Sequence, residues 1–319
     1  MNTDNPKVLS LDFGGTKLSA AVINVKSGEI CSLVKHATPS QGGAKTSIQK
    51  MFEIAKQALI QCNLTSPSRV GISFGGPVAL DRKTVLMSNH VAHWEGIPLP
   101  QMASDVFICP AAMDNDANAA ALGSWWFDAK REPDYMIYIQ ISTGIGAGLI
   151  LNRHLYRGRS LAGELGHITM LHNGPQCMCG KQGCLESLSA GWAIARVARE
   201  VLTLVTPESP LYRICGGDEE KIDARMLIQA ANDGDTAAKT AVTYAFTMLG
   251  IAIANVISLF DPQVVMLGGG VARAEAEMRA VLEPVIEREL HPLFKDRCTL
   301  RFSQLEGKET LLGAALLEE

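Results

Sequence analysis

Three cysteines within eight positions, Cys177, Cys179 and Cys184, offer three thiolate corners of a tetrahedral Zn²⁺ site. Gly180 and Gly183 permit the tight loop that this spacing needs. Two nearby histidines could supply the fourth ligand, His167 and His172, and spacing does not choose between them. Four protein ligands leave no open position, so such a metal is structural. Three unligated thiols packed this closely would be prone to oxidation, which argues against that alternative. Cys31, Cys62, Cys109, Cys215 and Cys298 stand singly among apolar or loop residues and need no special role. Reduced thiols plus one metal cluster fit a cytoplasmic setting.

A second group of residues could hold phosphate. The runs LSLDFGGTKLSAAVI (9–23) and IYIQISTGIGAGLIL (137–151) both read strand, glycine turn, strand. Gly14, Gly15, Thr16 and Lys17 in one, and Thr143, Gly144 and Gly146 in the other, bring unhindered backbone N–H groups to one point. Neither turn is a Walker A loop, and a dinucleotide fingerprint has to open a helix, whereas Leu149–Leu151 reads as another strand. Asp12 ends an apolar strand just before the first turn. A carboxylate there is costly unless it is solvated, paired or holding a cation, so it is either a turn cap or a candidate Mg²⁺ ligand. Asp114 and Asp116 stand at the start of a helix expected over 117–127. Either is a helix cap or a general base for an attacking hydroxyl.

These groups need elements to place them. Strands are expected at 8–11, 18–25, 70–74, 135–142, 149–151 and 264–267. Helices are expected at 46–62, 117–127, 191–205, 223–233, 236–260 and about 272–290. The stretch 241–260 has the length of a membrane span, but Thr243, Thr247, Asn255 and Ser258 interrupt it and Asp261-Pro262 ends it, so it reads as a buried helix. The triple glycine Gly268, Gly269, Gly270 follows a strand and precedes a helix, where close approach of an adenosine is expected. The chain has 319 residues, 47% hydrophobic and 19% charged, with a formal charge of -4. That length predicts two domains, and that charge excludes a dedicated nucleic-acid binder or a polybasic membrane-surface protein. The polar start runs directly into a strand, so no signal peptide is expected.

Taken together, several runs resemble the ROK family (repressors, open reading frames and kinases) of the hexokinase-like, actin-like ATPase fold. They are LDFGGTK, GGPV (75–78), DNDANAAALG (114–123), STGIGAG (142–148), AGELGHITM (162–170), CMCGKQGCLES (177–187), VVMLGGG (264–270) and the closing LLGAALL. The resemblance implies an α/β, two-lobed, ribonuclease H-like fold, each lobe a mixed sheet flanked by helices. It implies a small lobe of 1–117 plus about 303–319, a large lobe of 118–302, and a homodimer. It also implies an ATP-dependent kinase acting on a hexose hydroxyl, the 6-position of glucose or a close hexose. Fructose, allose, N-acetylglucosamine and N-acetylmannosamine stay open, as does a catalytically silent sugar sensor.

The resemblance assigns Asp116 as catalytic base. It assigns the sugar to Gly75, Gly76, Asn89, Asn115, Asp116, Glu164, His167 and Glu186. It assigns ATP to Asp12, the two glycine turns and Gly268–Gly270, with Mg²⁺ accompanying the nucleotide. His167 becomes the fourth zinc ligand. Ser142 stands where the family often has glycine, and Thr143 is retained. Repressors of the family carry a helix-turn-helix ahead of the first turn. With Asp12 only the twelfth residue, that domain is not expected here. His90 and His93 read as ordinary loop histidines, and Trp125, Trp126, Tyr135 and Tyr138 as packing residues.

Overall fold

The computed structural model describes residues 6–88 and 91–318, so Asn89 and His90 lie outside the described residues. The chain begins with β1 (Lys7–Phe13), β2 (Lys17–Asn24), β3 (Ile30–Ala37), α1 (Gly43–Gln61), β4 (Val70–Phe74), α2 (Leu99–Phe107), β5 (Ala111–Asn115) and α3 (Asp116–Gly123). It continues with β6 (Met136–Ile141), β7 (Ile145–Leu151), β8 (His154–Tyr156), α4 (Leu185–Ser189), α5 (Gly191–Leu202), α6 (Pro210–Cys215), α7 (Ala224–Asn232) and α8 (Thr236–Phe260). It closes with β9 (Val264–Gly268), α9 (Glu275–Glu289), β10 (Thr299–Phe302) and α10 (Glu309–Ala314).

Two compact units result. One holds the chain up to Asp134, Gly148–Gly163 and Ser303 onward; the other holds Tyr135–Ala147 and Glu164–Phe302. The division crosses β7 between Ala147 and Gly148.

The first unit is built on a mixed sheet of order β3-β2-β1-β4-β5, antiparallel from β3 to β1 and parallel from β1 to β5. Period-2 alternation sorts β1 between two layers. Leu9, Leu11 and Phe13 join the core formed with α1, β4 and Trp94. Val8 faces the other way, with Leu311, Leu312 and Ala315 at the end of the chain. Helix α1 follows from Ile48, Met51, Ile54, Ala55, Ala58 and Leu59, a buried stripe at helical spacing. Gly71 lets α10 seat on β4, since a Cβ there would stand 1.8 Å from Ala314 O. Ser10 Oγ donates to Leu311 O at 2.6 Å on the same face.

The second sheet has the order β10-β9-β6-β7-β8. Helix α8 is the one element among the described residues long and apolar enough to cross a membrane. Its Phe246, Leu249, Ala252 and Ile253 are fully buried and it packs on α4, α5, α7 and α9, so it is a core helix.

Several expected boundaries move. The helix expected over 117–127 is α3 only to Gly123, after which Ser124–Asp128 forms a wider π turn. Helix α9 starts at Glu275 because a 3₁₀ turn, Val271–Arg273, intervenes after the glycines.

Candidate active site

In the first unit, sheet register brings distant residues side by side. Asp12 on β1 pairs with Ser73 on β4, and Ser73 with Asp114 on β5. One position on, Phe13, Phe74 and Asn115 line up in the same way. The turn after β1 closes with Gly14 N donating to Lys17 O at 3.1 Å, and a Cβ on Gly14 would stand 2.8 Å from that oxygen. Thr38 Oγ1 donates to Gly14 O at 2.8 Å and braces the turn from β3's end. Gly75 N donates to Phe13 O at 2.9 Å, so Gly75 abuts the same turn, while Gly76 fits beneath Met87 O.

Burial, then the nearby Asp116 carboxylate, push the Asp12 carboxyl up to about 7; Ser73 Oγ, donating at 3.2 Å, and Lys17 act in the opposite direction. A carboxyl whose charged form is penalised by burial and by a neighbouring carboxylate makes a place where a divalent cation fits. Asp12 is the residue here that would hold Mg²⁺.

The β5–α3 junction resolves the question of the helix cap. Neither Asp114 nor Asp116 caps α3; Asn115 does, with Oδ1 accepting from Ala117 N at 2.9 Å and Asn118 N at 3.3 Å. Its amide Nδ2 donates to Gly76 O at 3.1 Å and to Asp116 Oδ1 at 3.0 Å. Asp116 Oδ1 also accepts from Ala117 N at 2.9 Å. The carboxylate expected to act as base therefore sits at a helix start, its orientation set by two N–H donors.

In the second unit, His167, Cys177, Cys179 and Cys184 bring their ligand atoms within 4.8 Å of one another. Cys179 Sγ lies 3.7 Å from Cys184 Sγ, and Cys177 Sγ 3.8 Å from His167 Nδ1. A tetrahedral Zn²⁺ with Zn–S bonds of about 2.3 Å has sulfur–sulfur edges of about 3.8 Å, so the set fits that ion. Burial pushes the Cys177 thiol up to about 12. Burial acts likewise on Cys179, but the Lys181 backbone N–H, the neighbouring thiols and the Lys181 charge bring it below the ordinary value. Gly180 and Gly183 both have positive φ, and a Cβ on Gly183 would stand 1.6 Å from Leu171 O. Exposed His172 is not among the grouped ligands.

The ring of His167 turns Nε2 toward Glu164, 3.9 Å from Oε2. Burial raises the Glu164 carboxyl; His167 lowers it and Glu186 raises it further. Glu186 is buried, and Oε2 accepts from Ile145 N at 3.0 Å. Gly144 lies so close that a Cβ would meet Glu186 Oε2 at 2.6 Å, and one on Gly166 would meet Ile145 O at 2.2 Å. Glu186, expected to hold sugar, thus also underlies the second glycine turn.

That turn opens onto a cavity of about 570 Å³, lined by Thr143, Trp192, Asp223, Arg225, Gln229 and Gly270 among others. This size suits a small organic ligand. Helix α5 docks on the turn through Gly191 N to Ser142 O at 2.8 Å. Of the glycines that end and follow β9, Gly268, Gly269 and Gly270, it is Gly270 that lines the cavity. The other two make room for the sheet: Cβ atoms would meet Tyr138 Oη at 2.1 Å on Gly268 and Ile141 O at 2.4 Å on Gly269. The cavity's lining from α5 and α7 was not foreseen in the sequence, since nothing in those amphipathic helices marks a ligand.

Two mixed sheets flanked by helices, paired glycine turns and a Cys₃His group define the hexokinase-like class of sugar kinases and their regulators. The ROK family model matches residues 8–319, and the chain belongs to the ROK family. It is 32% identical over 312 residues to a glucokinase of Thermotoga maritima, covering 97% of this chain and 96% of that one. It is 26% identical to a xylose repressor of Caldicellulosiruptor bescii, covering 98% of this chain and 78% of the repressor. A ROK family glucokinase from Streptomyces griseus, solved in complex with glucose and AMPPNP, superposes with a TM-score of 0.86 at 32% identity, covering 97% of this chain and 98% of that one. The enzyme class that follows is an ATP-dependent sugar kinase.

Proposed function

We propose that the protein transfers the γ-phosphoryl group of ATP to the 6-hydroxyl of glucose or a close hexose. The observation that carries this reading is the held carboxylate of Asp116, electrostatically coupled to Asp12 in the same unit. Asp116 accepts the proton of the attacking hydroxyl as the O–P bond forms and ADP leaves. The N–H groups of the Gly14-Gly15-Thr16 turn, with Lys17, and those of Thr143, Gly144 and Gly146 hold the phosphates. The cavity beside Thr143 and Gly270 takes the nucleoside. Asp12 would hold the Mg²⁺ that accompanies ATP, and that ion would supply charge neutralisation at the phosphates.

Glu164, His167 and Glu186 hold sugar hydroxyls in this reading, and Asn115 and the Gly75-Gly76 backbone line the sugar. Asn89 is assigned with them on resemblance alone. A structural Zn²⁺ would be held by His167, Cys177, Cys179 and Cys184, fixing the His167 ring and the loop that leads to Glu186. A cytoplasmic homodimer completes the reading, supported by the resemblance to the family.

The likeness to a xylose repressor favours a second reading, a silent sugar-responsive regulator. The set Asp12, Lys17, Asp116 and Thr143 is intact, which a pure sensor has no need to keep. ADP release measured over a panel of hexoses and acetylated amino sugars tests the proposal. Turnover with glucose supports it; turnover only with another sugar relocates the substrate; tight sugar binding with no turnover overturns it for the sensor.

A further inference from the structure

The β5–α3 junction contains a buried charge that the reading above does not use. Asp114 has 1% of its side chain exposed and is met by Arg157, whose Nε donates to Oδ2 at 2.6 Å. Both residues belong to the first unit. The other carboxylate oxygen, Oδ1, accepts from Asn115 N at 2.8 Å and from Asn118 Nδ2 at 2.9 Å. Asn118 Oδ1 is buried with no hydrogen-bond partner among the described residues, so this side-chain amide is anchored through its Nδ2 contact with Asp114.

The consequence follows from the order of residues. Asp114 grips the backbone N–H of Asn115 on one side and the side chain of Asn118 on the other. Between them lies the turn in which Asn115 caps the helix and donates to Asp116. A buried carboxylate can hold two donors in fixed directions only while its own charge is compensated. Arg157 supplies that compensation from a loop 43 residues along the chain. A loss of the guanidinium would leave an uncompensated buried charge, which the junction would relieve by hydrating or turning Asp114 outward. Either movement frees the N–H of Asn115 and the amide of Asn118, and shifts the carboxylate of Asp116.

We propose that Arg157 is a positioning residue for phosphoryl transfer, acting through Asp114 on the junction that presents Asn115 and Asp116. This rests on the assignment of Asp116 as base, and the test keeps the two apart. Full-length wild type, Arg157→Gln, Asp114→Asn/Arg157→Gln and Asp116→Asn are compared for kcat, KM for ATP, melting temperature, and amide hydrogen exchange over residues 115–118.

In Arg157→Gln, kcat is expected to fall about 10–100-fold, the size of a misplaced reacting group, with KM for ATP changed less than about twofold. Exchange at residues 115–118 is expected to quicken. The double variant, which removes the buried charge together with its partner, is expected to recover at least half of the logarithmic loss and to slow the exchange again. Wild-type kcat in a folded Arg157→Gln protein overturns the proposal. So does a loss that tracks melting temperature and is not recovered in the double variant. Full activity of Asp116→Asn overturns the underlying assignment instead.

Discussion

Asn115 Nδ2 donates to Asp116 Oδ1 at 3.0 Å while its Oδ1 caps helix α3. One side chain thereby starts the helix and aims the carboxylate. Asp116→Asn keeps the shape of that carboxylate but replaces an acceptor with an amide, so the group can no longer take a proton. Turnover is expected to fall by about 10²–10⁴-fold, the usual loss for a general base, with nucleotide affinity unchanged. Steady-state kinetics beside ATP-analogue titration check it. Asn115→Ala removes the cap as well, and should lower stability by about 1 kcal/mol in addition to reducing kcat.

The proton held by Asp12 gives a pH signature. The unfolded carboxyl titrates at 3.8 and the folded one at about 7, so between these values the folded state binds the extra proton. The contribution of Asp12 to folding stability of the metal-free protein therefore falls as pH rises from about 4 to 7 and stays at its lower level above that range. Asp12→Asn lacks this slope: it should match wild type near pH 4 and exceed it near pH 8. Proton and cation compete for the carboxylate, so apparent Mg²⁺ affinity at pH 6 should be about tenfold below that at pH 8. Denaturant titrations and Mg²⁺-dependence of turnover at both pH values measure these effects.

The thiol cluster predicts about one tightly held zinc per chain, measurable by elemental analysis. Cys177→Ser, or chelation of the wild type under mild denaturation, should release it. Sugar binding should weaken by about 10–100-fold as the His167 ring and the Glu186 loop lose their anchor. Unchanged sugar affinity in the zinc-free protein would remove this role for the cluster.

The second glycine turn leans on Glu186. Gly144→Ala places a Cβ where only 2.6 Å separates it from Glu186 Oε2, so the carboxylate must leave Ile145 N or the turn must open. The expected outcome is a raised KM for ATP with zinc content intact. A variant with wild-type kinetics would show that this contact is dispensable.

Much of this was legible in the residues themselves. The apolar strand, glycine turn and following strand at 7–24 need only local preference, and β1 and β2 stand there. The stripe from Ile48 to Leu59 is helical in period, and α1 forms on it. Three cysteines within eight positions, with two glycines among them, announce their cluster. Strand β3, at Ile30–Ala37, was missed because its interior-facing residues are few and its end is charged and exposed. Strand β5 was hidden by Asp114 and Asn115, polar residues that its register beside Ser73 and Phe74 makes useful. The Arg157–Asp114 pair and the hold of Glu186 on Ile145 join residues 43 and 41 positions apart, and no local pattern encodes them. Gly268 and Gly269 also leave room for Tyr138 and Ile141, a packing role that their place between a strand and a helix does not announce.

The most direct measurement is the product of a single reaction. Purified protein with Mg-ATP and glucose, followed for ADP and resolved by ³¹P NMR, should release ADP in step with a new phosphate monoester on the sugar's 6-oxygen. Asp116→Asn should slow both signals together, by about 10²–10⁴-fold. ADP release that is independent of sugar, or phosphate at another oxygen with Asp116→Asn still active, would contradict the account.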